Sequence, residues 1–177
     1  MSAEVPVRPG ALGPPDLDGD GEERAAAHRE RKGQRTRRKL LEAAEQAFGE
    51  VGYHDTSIVK ITAAADVAQG TFYLYFDSKR QIFDEVVADL NLRVRHAMSE
   101  AARGATTRLE AESLGFAGFF RFTSEHPALY RVIRQAEFVS PRALRNHYET
   151  IVGNYAPFLR DAMETGEVSA GDPLVLA

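Results

Sequence analysis

Apolar side chains recur at spacings of three and four along most of the chain. In the first such segment they are Leu41, Ala44, Phe48 and Val51, after which Gly52 interrupts the pattern. Residues three and four positions apart share one face of an α-helix, so this spacing is typical of an amphipathic helix. It predicts a first helix from about Gln34 to Val51.

Two short helices are predicted next. Ser57 is placed to cap the first of them, whose inward side chains are Ile58, Ile61 and Ala65. Asp66 and Val67 break the pattern, and the following helix spans about residues 68–74.

The rest of the chain carries helix start signals in front of further apolar faces. Ser78-x-x-Gln81 and Thr107-x-x-Glu110 are capping boxes, in which the hydroxyl and the polar side chain three residues later satisfy free backbone N–H groups. Pro127 and Ser140-Pro141 begin two more helices. No segment shows the alternation of a strand, so the sequence predicts an all-α fold.

Three helices in about forty residues, the last two short and joined by a tight turn, are typical of a helix-turn-helix. On the third helix the pattern places Val67, Phe72 and Phe76 inward. The outward or rim positions are then Gln69, Gly70, Thr71, Tyr73, Leu74 and Tyr75. A tyrosine hydroxyl can donate to a phosphate, and Thr or Leu can meet a thymine methyl group. These residues are therefore the predicted DNA-reading surface.

The charge distribution supports a contact with phosphates. Over the whole chain the net charge is −4, but the basic residues are densest in RERKGQRTRRK, residues 29–39. A run of this kind can simply be a solvated face, yet its position before a helix-turn-helix predicts phosphate contacts by Arg35, Arg37 and Arg38. Lys79, at the start of the next helix, is predicted to reach a phosphate as well.

Composition removes several functional classes. The chain of 177 residues has no cysteine, which excludes disulfides and thiolate chemistry. No apolar run approaches the ~18 residues that span a bilayer, and the Pro/Gly-rich acidic N-terminus is unlike a signal peptide. We expect a cytoplasmic protein without membrane contact, divided into a disordered arm (1–30), a helix-turn-helix domain (31–79) and a helical domain (80–177).

The run TSIVKITAAADVAQGTFYLYFDSKRQIF resembles the DNA-binding segment of the TetR (tetracycline repressor) family of bacterial regulators. The resemblance rests on Thr56-Ser57 and on Gly70-Thr71-Phe72-Tyr73-x-Tyr75-Phe76-x-Ser78-Lys79. It adds Thr56 and Ser57 to the predicted DNA-binding residues. It also implies a homodimeric, ligand-responsive repressor that binds a palindromic operator. The chain departs from the family pattern by Asp66 in place of Gly in the turn, Ala68 in place of a capping Ser or Thr, and Val59 in place of Arg.

The helical domain is rich in aromatic residues, which fit either a bundle core or an apolar ligand pocket. For the pocket we predict Phe116, Phe119, Phe120, Arg121, Tyr130, Arg134, Phe138, Tyr148 and Tyr155. Rings mixed with arginines favour an apolar or amphipathic effector, such as an acid or an acyl thioester. Pro157 should kink or end its helix and so leave room in the bundle.

No enzymatic chemistry is indicated. The five His residues show no metal-ligand spacing, and neither paired Glu-x-x-His motifs nor a nucleophile with a base is present. We therefore expect no metal, no cofactor and no catalysis.

Gly171-Asp172-Pro173 is a helix start only a few residues before Ala177. The resemblance implies two further helices that form the dimer interface, so we expect a C-terminally truncated chain that dimerises weakly without them. The alternative function is then a truncated helical interaction or ligand-binding module without effective operator binding.

Overall fold

The computed structural model describes residues 18–176, with side chains from residue 23 onward. Its helices are α1 (Asp18–Glu50), α2 (Gly52–Asp55), α3 (Ile58–Ala64), α4 (Gln69–Phe72), α5 (Lys79–Ala101), α6 (Arg108–Glu125), α7 (Ala128–Val139), α8 (Pro141–Glu164) and α9 (Pro173–Leu176). No strand occurs among the described residues, and the prediction of an all-α fold is confirmed.

Helix α1 begins earlier than the apolar pattern predicts. The expected disordered arm covered residues 1–30, but residues 18–30 are helical in the structure, so the expectation of disorder is corrected there. Residues 22–32, EERAAAHRERK, are mostly strong helix formers. Such residues extend a helix at low cost once a neighbouring segment has nucleated it. Residues 1–17 of the expected arm lie outside the described residues.

The chain divides between Arg35 and Thr36 into two units. In the second unit we call residues 36–79 the reading head and α5–α8 the bundle. A single cluster of buried apolar side chains includes members of both. Phe83 of α5, for example, meets Phe48 of α1 edge-on, with ring centroids 5.2 Å apart. The boundary predicted at residue 79 therefore does not separate two cores.

Hydroxyl caps fix the starts of four helices. Ser57, Ser78, Thr107 and Ser140 each accept a hydrogen bond from the backbone N–H three residues later, at 3.1 to 3.4 Å. Satisfying one of the free N–H groups at each start stabilises the helix. The start predicted at Asp172 is also found, because its carboxylate accepts from the Leu174 N–H at 2.8 Å.

Helices α5 and α6 approach closely at Gly118. A Cβ atom built there would lie 2.7 Å from Ala101 Cβ and 2.8 Å from the Ala97 carbonyl oxygen. No larger residue fits without a backbone shift, so this glycine sets how close the two helices lie.

Helix α8 continues through Pro157 to Glu164. The sequence predicted that Pro157 would kink or end its helix, and the helix does not end there. Among residues 18–176, none of the helices is both long and apolar enough to cross a membrane.

Candidate DNA-binding surface

Helices α3 and α4 are joined by a tight turn at Asp66. Its φ of +54° is in the left-handed region, which among non-glycine residues Asp and Asn tolerate best. The Val67 N–H donates to the Thr62 carbonyl at 3.0 Å and closes the turn. The turn expected from the sequence therefore forms with Asp in the place of Gly.

The segment around α4 has a buried and an exposed side. Phe72 and Phe76 are 0% and 1% exposed, and their ring centroids lie 5.6 Å apart. The exposed side carries Gln69, Gly70, Tyr73 and Leu74. Tyr73 is 54% exposed and Leu74 79%. The predicted division of this segment into core and surface is thus observed for these residues.

Two of the predicted outward residues are less accessible. Thr71 is half-buried, and Tyr75 packs against the core. Helix α4 is also shorter than predicted, because after Phe72 the chain continues as turns in which the Tyr75 N–H donates to the Phe72 carbonyl at 3.0 Å. This tightening turns the Tyr75 ring toward the core. Ala68, which precedes α4, makes no side-chain cap.

Thr56 and Ser57 have structural contacts in the reading head. Thr56 is 1% exposed, and its hydroxyl donates to the Gly52 carbonyl at 2.7 Å. The Ser57 hydroxyl caps α3 by accepting from the Lys60 N–H. Since Thr56 is closed off from solvent, its predicted DNA contact is corrected to a structural role, whereas the exposed Ser57 remains a candidate.

Lys79 holds the end of α2. Its ammonium group donates to the carbonyl oxygens of Tyr53 and Thr56, both at 2.7 Å, and lies 4.3 Å from the centre of the Tyr53 ring. It thus neutralises carbonyls that the end of a short helix leaves free. The phosphate contact predicted for Lys79 would require it to leave these acceptors.

The predicted phosphate-binding arginines differ among themselves. Arg37 pairs with Glu85 and stacks over the Phe76 ring. Arg38 pairs with Glu42 and with Asp89, both at 2.8 Å. These two tie α1 to its own surface and to α5, whereas the exposed Arg35 belongs to the first unit. Of the three, Arg35 is therefore the one whose guanidinium is not engaged by an ion pair described among residues 23–176.

Helix α7 of the bundle contacts the reading head through a residue that the sequence did not single out for this role. The Gln135 amide donates to the Phe48 carbonyl at 3.0 Å and accepts from the Tyr53 N–H at 2.5 Å. Gln135 therefore provides a hydrogen-bond partner both for a backbone carbonyl near the end of α1 and for a backbone N–H at the start of α2. Arg131, one turn earlier, donates to the Gly49 carbonyl at 3.2 Å. The sequence signal for these contacts was the spacing of four residues between Arg131 and Gln135. That spacing did not show which groups the two side chains contact.

The predicted ligand-pocket residues do not gather around a cavity. Phe116, Phe120, Arg121, Tyr130, Arg134, Phe138 and Tyr148 are exposed, and Phe119 and Tyr155 are half-buried. Tyr155 packs against Arg108, whose guanidinium lies 5.1 Å from its ring centre, and burial raises the pKa of the phenol. The predicted pocket is therefore corrected to a set of mostly surface residues on α6–α8.

Two clefts occur elsewhere in the second unit. One, of about 190 Å³, lies between α5 and α8 and is lined by polar residues that include Asp84, Asn91 and Arg142. Beside it, His147 is hydrogen-bonded to Asn91, and burial lowers the pKa of the imidazole. The other, of about 540 Å³, lies along α1 and the α6–α7 turn. Neither cleft is lined by a predicted pocket residue, and no group of three metal-ligating side chains is found among residues 18–176.

Comparisons with known proteins agree with this geometry. A sequence profile of the bacterial regulatory proteins of the tetR family matches residues 40–86. The HTH-type transcriptional regulator YdgC of Bacillus subtilis is 44% identical over 64 residues, which are 36% of this chain and 33% of YdgC. The segment shared with YdgC thus spans one third of that protein's length.

Similarity over a longer part of the chain is weaker. The fatty acid metabolism regulator protein of B. subtilis is 27% identical over 143 residues, 78% of this chain and 74% of that protein. The crystal structure of the transcriptional regulator FadR from B. subtilis in complex with stearoyl-CoA superposes with a TM-score of 0.69 at 24% identity, covering 78% of this chain and 76% of the other. This last similarity is one of fold.

Proposed function

Because the chain belongs to the tetR family of bacterial regulatory proteins, we propose that it is a transcriptional regulator that reads duplex DNA with the exposed side of the segment around α4, residues 69–76. The observation that carries the proposal is the placement of Gln69, Tyr73 and Leu74 on the surface above the buried rings of Phe72 and Phe76. The rings fix the helix, and the exposed side chains are left to contact a ligand.

The exposed residues have the chemistry of the major groove. The Gln69 amide can make a paired hydrogen bond to adenine, and Leu74 can meet a thymine methyl group. The Tyr73 hydroxyl can donate to a phosphate while its ring rests on the sugar. Gly70 has nothing within 4 Å of a Cβ position, so DNA can approach the backbone there.

We propose that regulation is repression, exerted by a homodimer on a palindromic operator. Two reading heads related by two-fold symmetry would each bind one half-site, and their joint binding would exceed the affinity of either. The exposed rings of α6–α8 provide apolar surface for such an association.

Selection of bound duplexes from a random pool tests the DNA-binding proposal. We expect enrichment of a motif with inverted half-sites. A pool without any enriched motif, together with binding that is insensitive to salt, would favour the alternative of a helical interaction module without operator binding.

The effector we propose is an apolar or amphipathic small molecule, with an acyl thioester as the first candidate. This class is supported by the similar FadR from B. subtilis, which was crystallised with stearoyl-CoA. A thermal shift with stearoyl-CoA but not with coenzyme A alone would support it, and equal shifts would contradict a role of the acyl chain.

The proposal is of a binding protein rather than an enzyme, acting in the cytoplasm where its DNA would be. The sequence offers no paired acid–base or nucleophile motif for a reaction.

A further inference from the structure

The first part of α1 carries a surface that the reading head does not account for. Residues 23–35 are exposed, apart from the half-buried Gly33. A helical segment with no buried face gains little stability from packing. The exposed side chains of this segment therefore do not contribute to a core.

Three of the five Arg and Lys residues of this segment lie in a line with His28 along the helix. Arg24, His28, Arg31 and Arg35 follow one another at spacings of four, three and four, so they share one side of the helix. With a rise of 1.5 Å per residue the line is roughly 16 Å long.

The acids of the segment lie on a different side. Glu23 and Glu30 are seven residues apart, and Gln34 donates to Glu30 at 3.2 Å. None of the ion pairs described among residues 23–176 involves Arg24, Arg31 or Arg35. The two acids are thus kept off the line, and its three guanidinium groups have no ion pair described among residues 23–176.

We propose that this line, formed by Arg24, Arg31 and Arg35 with His28 between them, binds the phosphates of duplex DNA while it is helical. The proposal rests on the proposed function, because α1 continues along the chain into Leu40 and Phe48 of the reading head. A reading head on DNA therefore keeps the line at a high local concentration of phosphates. Guanidinium groups suit phosphate oxygens, and such contacts add affinity without sequence preference.

A helical line and a flexible basic arm differ in what they require. The DNA affinity of a flexible arm depends on how many charges it carries. The DNA affinity of a helical line depends on which positions along the helix carry them. Exchanging Glu30 and Arg31 (E30R/R31E) keeps composition and net charge but places an acid within the line. Exchanging Arg29 and Glu30 (R29E/E30R) makes the same kind of change and leaves all four residues of the line in place, so it is the matched control.

The experiment measures affinity of the full chain for a selected duplex and for a random duplex over a salt series. We compare wild type, the two exchanges and R24Q/R31Q/R35Q, with helix content checked by circular dichroism. Because each phosphate contact contributes about 0.9 to the slope of log affinity against log salt, the triple variant should lose about two to three units of slope on both duplexes. E30R/R31E should lose about one unit or more, and R29E/E30R should match wild type.

Three results would overturn the inference while leaving the proposed function intact. If E30R/R31E matches its control while the triple variant loses slope, the segment acts as a flexible arm. If the triple variant matches wild type, the surface does not contact DNA. If the losses are confined to the selected duplex, the segment reads sequence rather than phosphates. Failure of the wild-type chain to bind either duplex at low salt would instead overturn the proposed function, and this inference with it.

Discussion

Phenylalanine side chains have opposite environments in the reading head and on the outer faces of α6–α8. In the reading head, Phe48, Phe72 and Phe76 are each at most 1% exposed. On α6–α8, Phe116, Phe120, Phe138 and Phe158 are all more than half exposed. The same residue type therefore closes a core in one region and forms an accessible surface in the other.

Polar groups follow the same division. In the reading head and at its junction with α5, Arg37, Arg38 and Lys79 are engaged by carboxylates or carbonyls of the protein. The reading head thus uses some of its own charged side chains to hold its helices in place.

The largest loss of stability should come from removing a buried phenyl ring of the reading head. Phe72→Ala should lower the free energy of unfolding by about 3–5 kcal/mol, because it removes buried apolar surface and leaves a cavity. Phe138→Ala, at a ring that is 81% exposed, should change it by less than about 0.5 kcal/mol. Urea denaturation measures both, and equal effects would remove the contrast between the two regions.

The next prediction compares the change in stability at a glycine inside the bundle with that at a glycine on its exposed surface. Gly118→Ala would place a methyl group against α5, whereas Gly153→Ala on α8 meets nothing within 4 Å. Overpacking costs about 1–3 kcal/mol, and alanine in an open helix gains up to about 1 kcal/mol over glycine. The two variants should therefore differ by about 2 kcal/mol in thermal or urea unfolding, with Gly118→Ala the less stable. The reverse order would mean that α5 and α6 are not in close contact.

Lys79 tests whether the reading head uses its own cations for structure. Lys79→Met should lower the free energy of unfolding by about 1–3 kcal/mol, because carbonyls at the end of α2 lose a charged donor. Arg80→Met, at the exposed neighbouring residue, is the control and should have little effect. If Lys79→Met is as stable as its control but binds DNA more weakly, the ammonium group serves phosphates rather than α2.

A smaller effect is expected at the junction between α7 and the reading head. Gln135→Ala should cost about 1 kcal/mol, the usual net contribution of such hydrogen bonds. Hydrogen exchange of the Tyr53 amide should accelerate, because Gln135 is its acceptor. Glu137→Ala, an exposed position on the same helix, should leave that exchange rate unchanged. An unchanged rate in both variants would show that the junction does not hold α2.

Most of the helical framework could be predicted from the sequence because its signals are local. Helix caps such as Ser57 and Thr107 need only a hydroxyl and a backbone N–H three residues away. The left-handed turn at Asp66 and the division between Phe72 and Tyr73 also follow from short-range pattern. The start of α1 was placed too late because the apolar pattern marks where a helix is packed and not where it begins.

The partners of long polar side chains could not be predicted. Lys79 finds its carbonyl acceptors across 23 and 26 positions, and Gln135 reaches Phe48 across 87. Such contacts depend on how helices pack, which no local pattern specifies. The same limit explains why the predicted pocket was wrong. The spacing of the rings on α6–α8 showed that these helices have aromatic faces, but not which faces turn inward.

The central claim is that the exposed side of the segment around α4, residues 69–76, reads DNA while its buried side only supports it. The direct test is the ratio of affinities for the selected and random duplexes in Tyr73→Ala and Gln69→Ala, measured alongside unfolding free energy. We predict that the ratio falls by an amount equivalent to about 1–3 kcal/mol in at least one variant, with stability within about 0.5 kcal/mol of wild type. An unchanged ratio in both stable variants would contradict the claim.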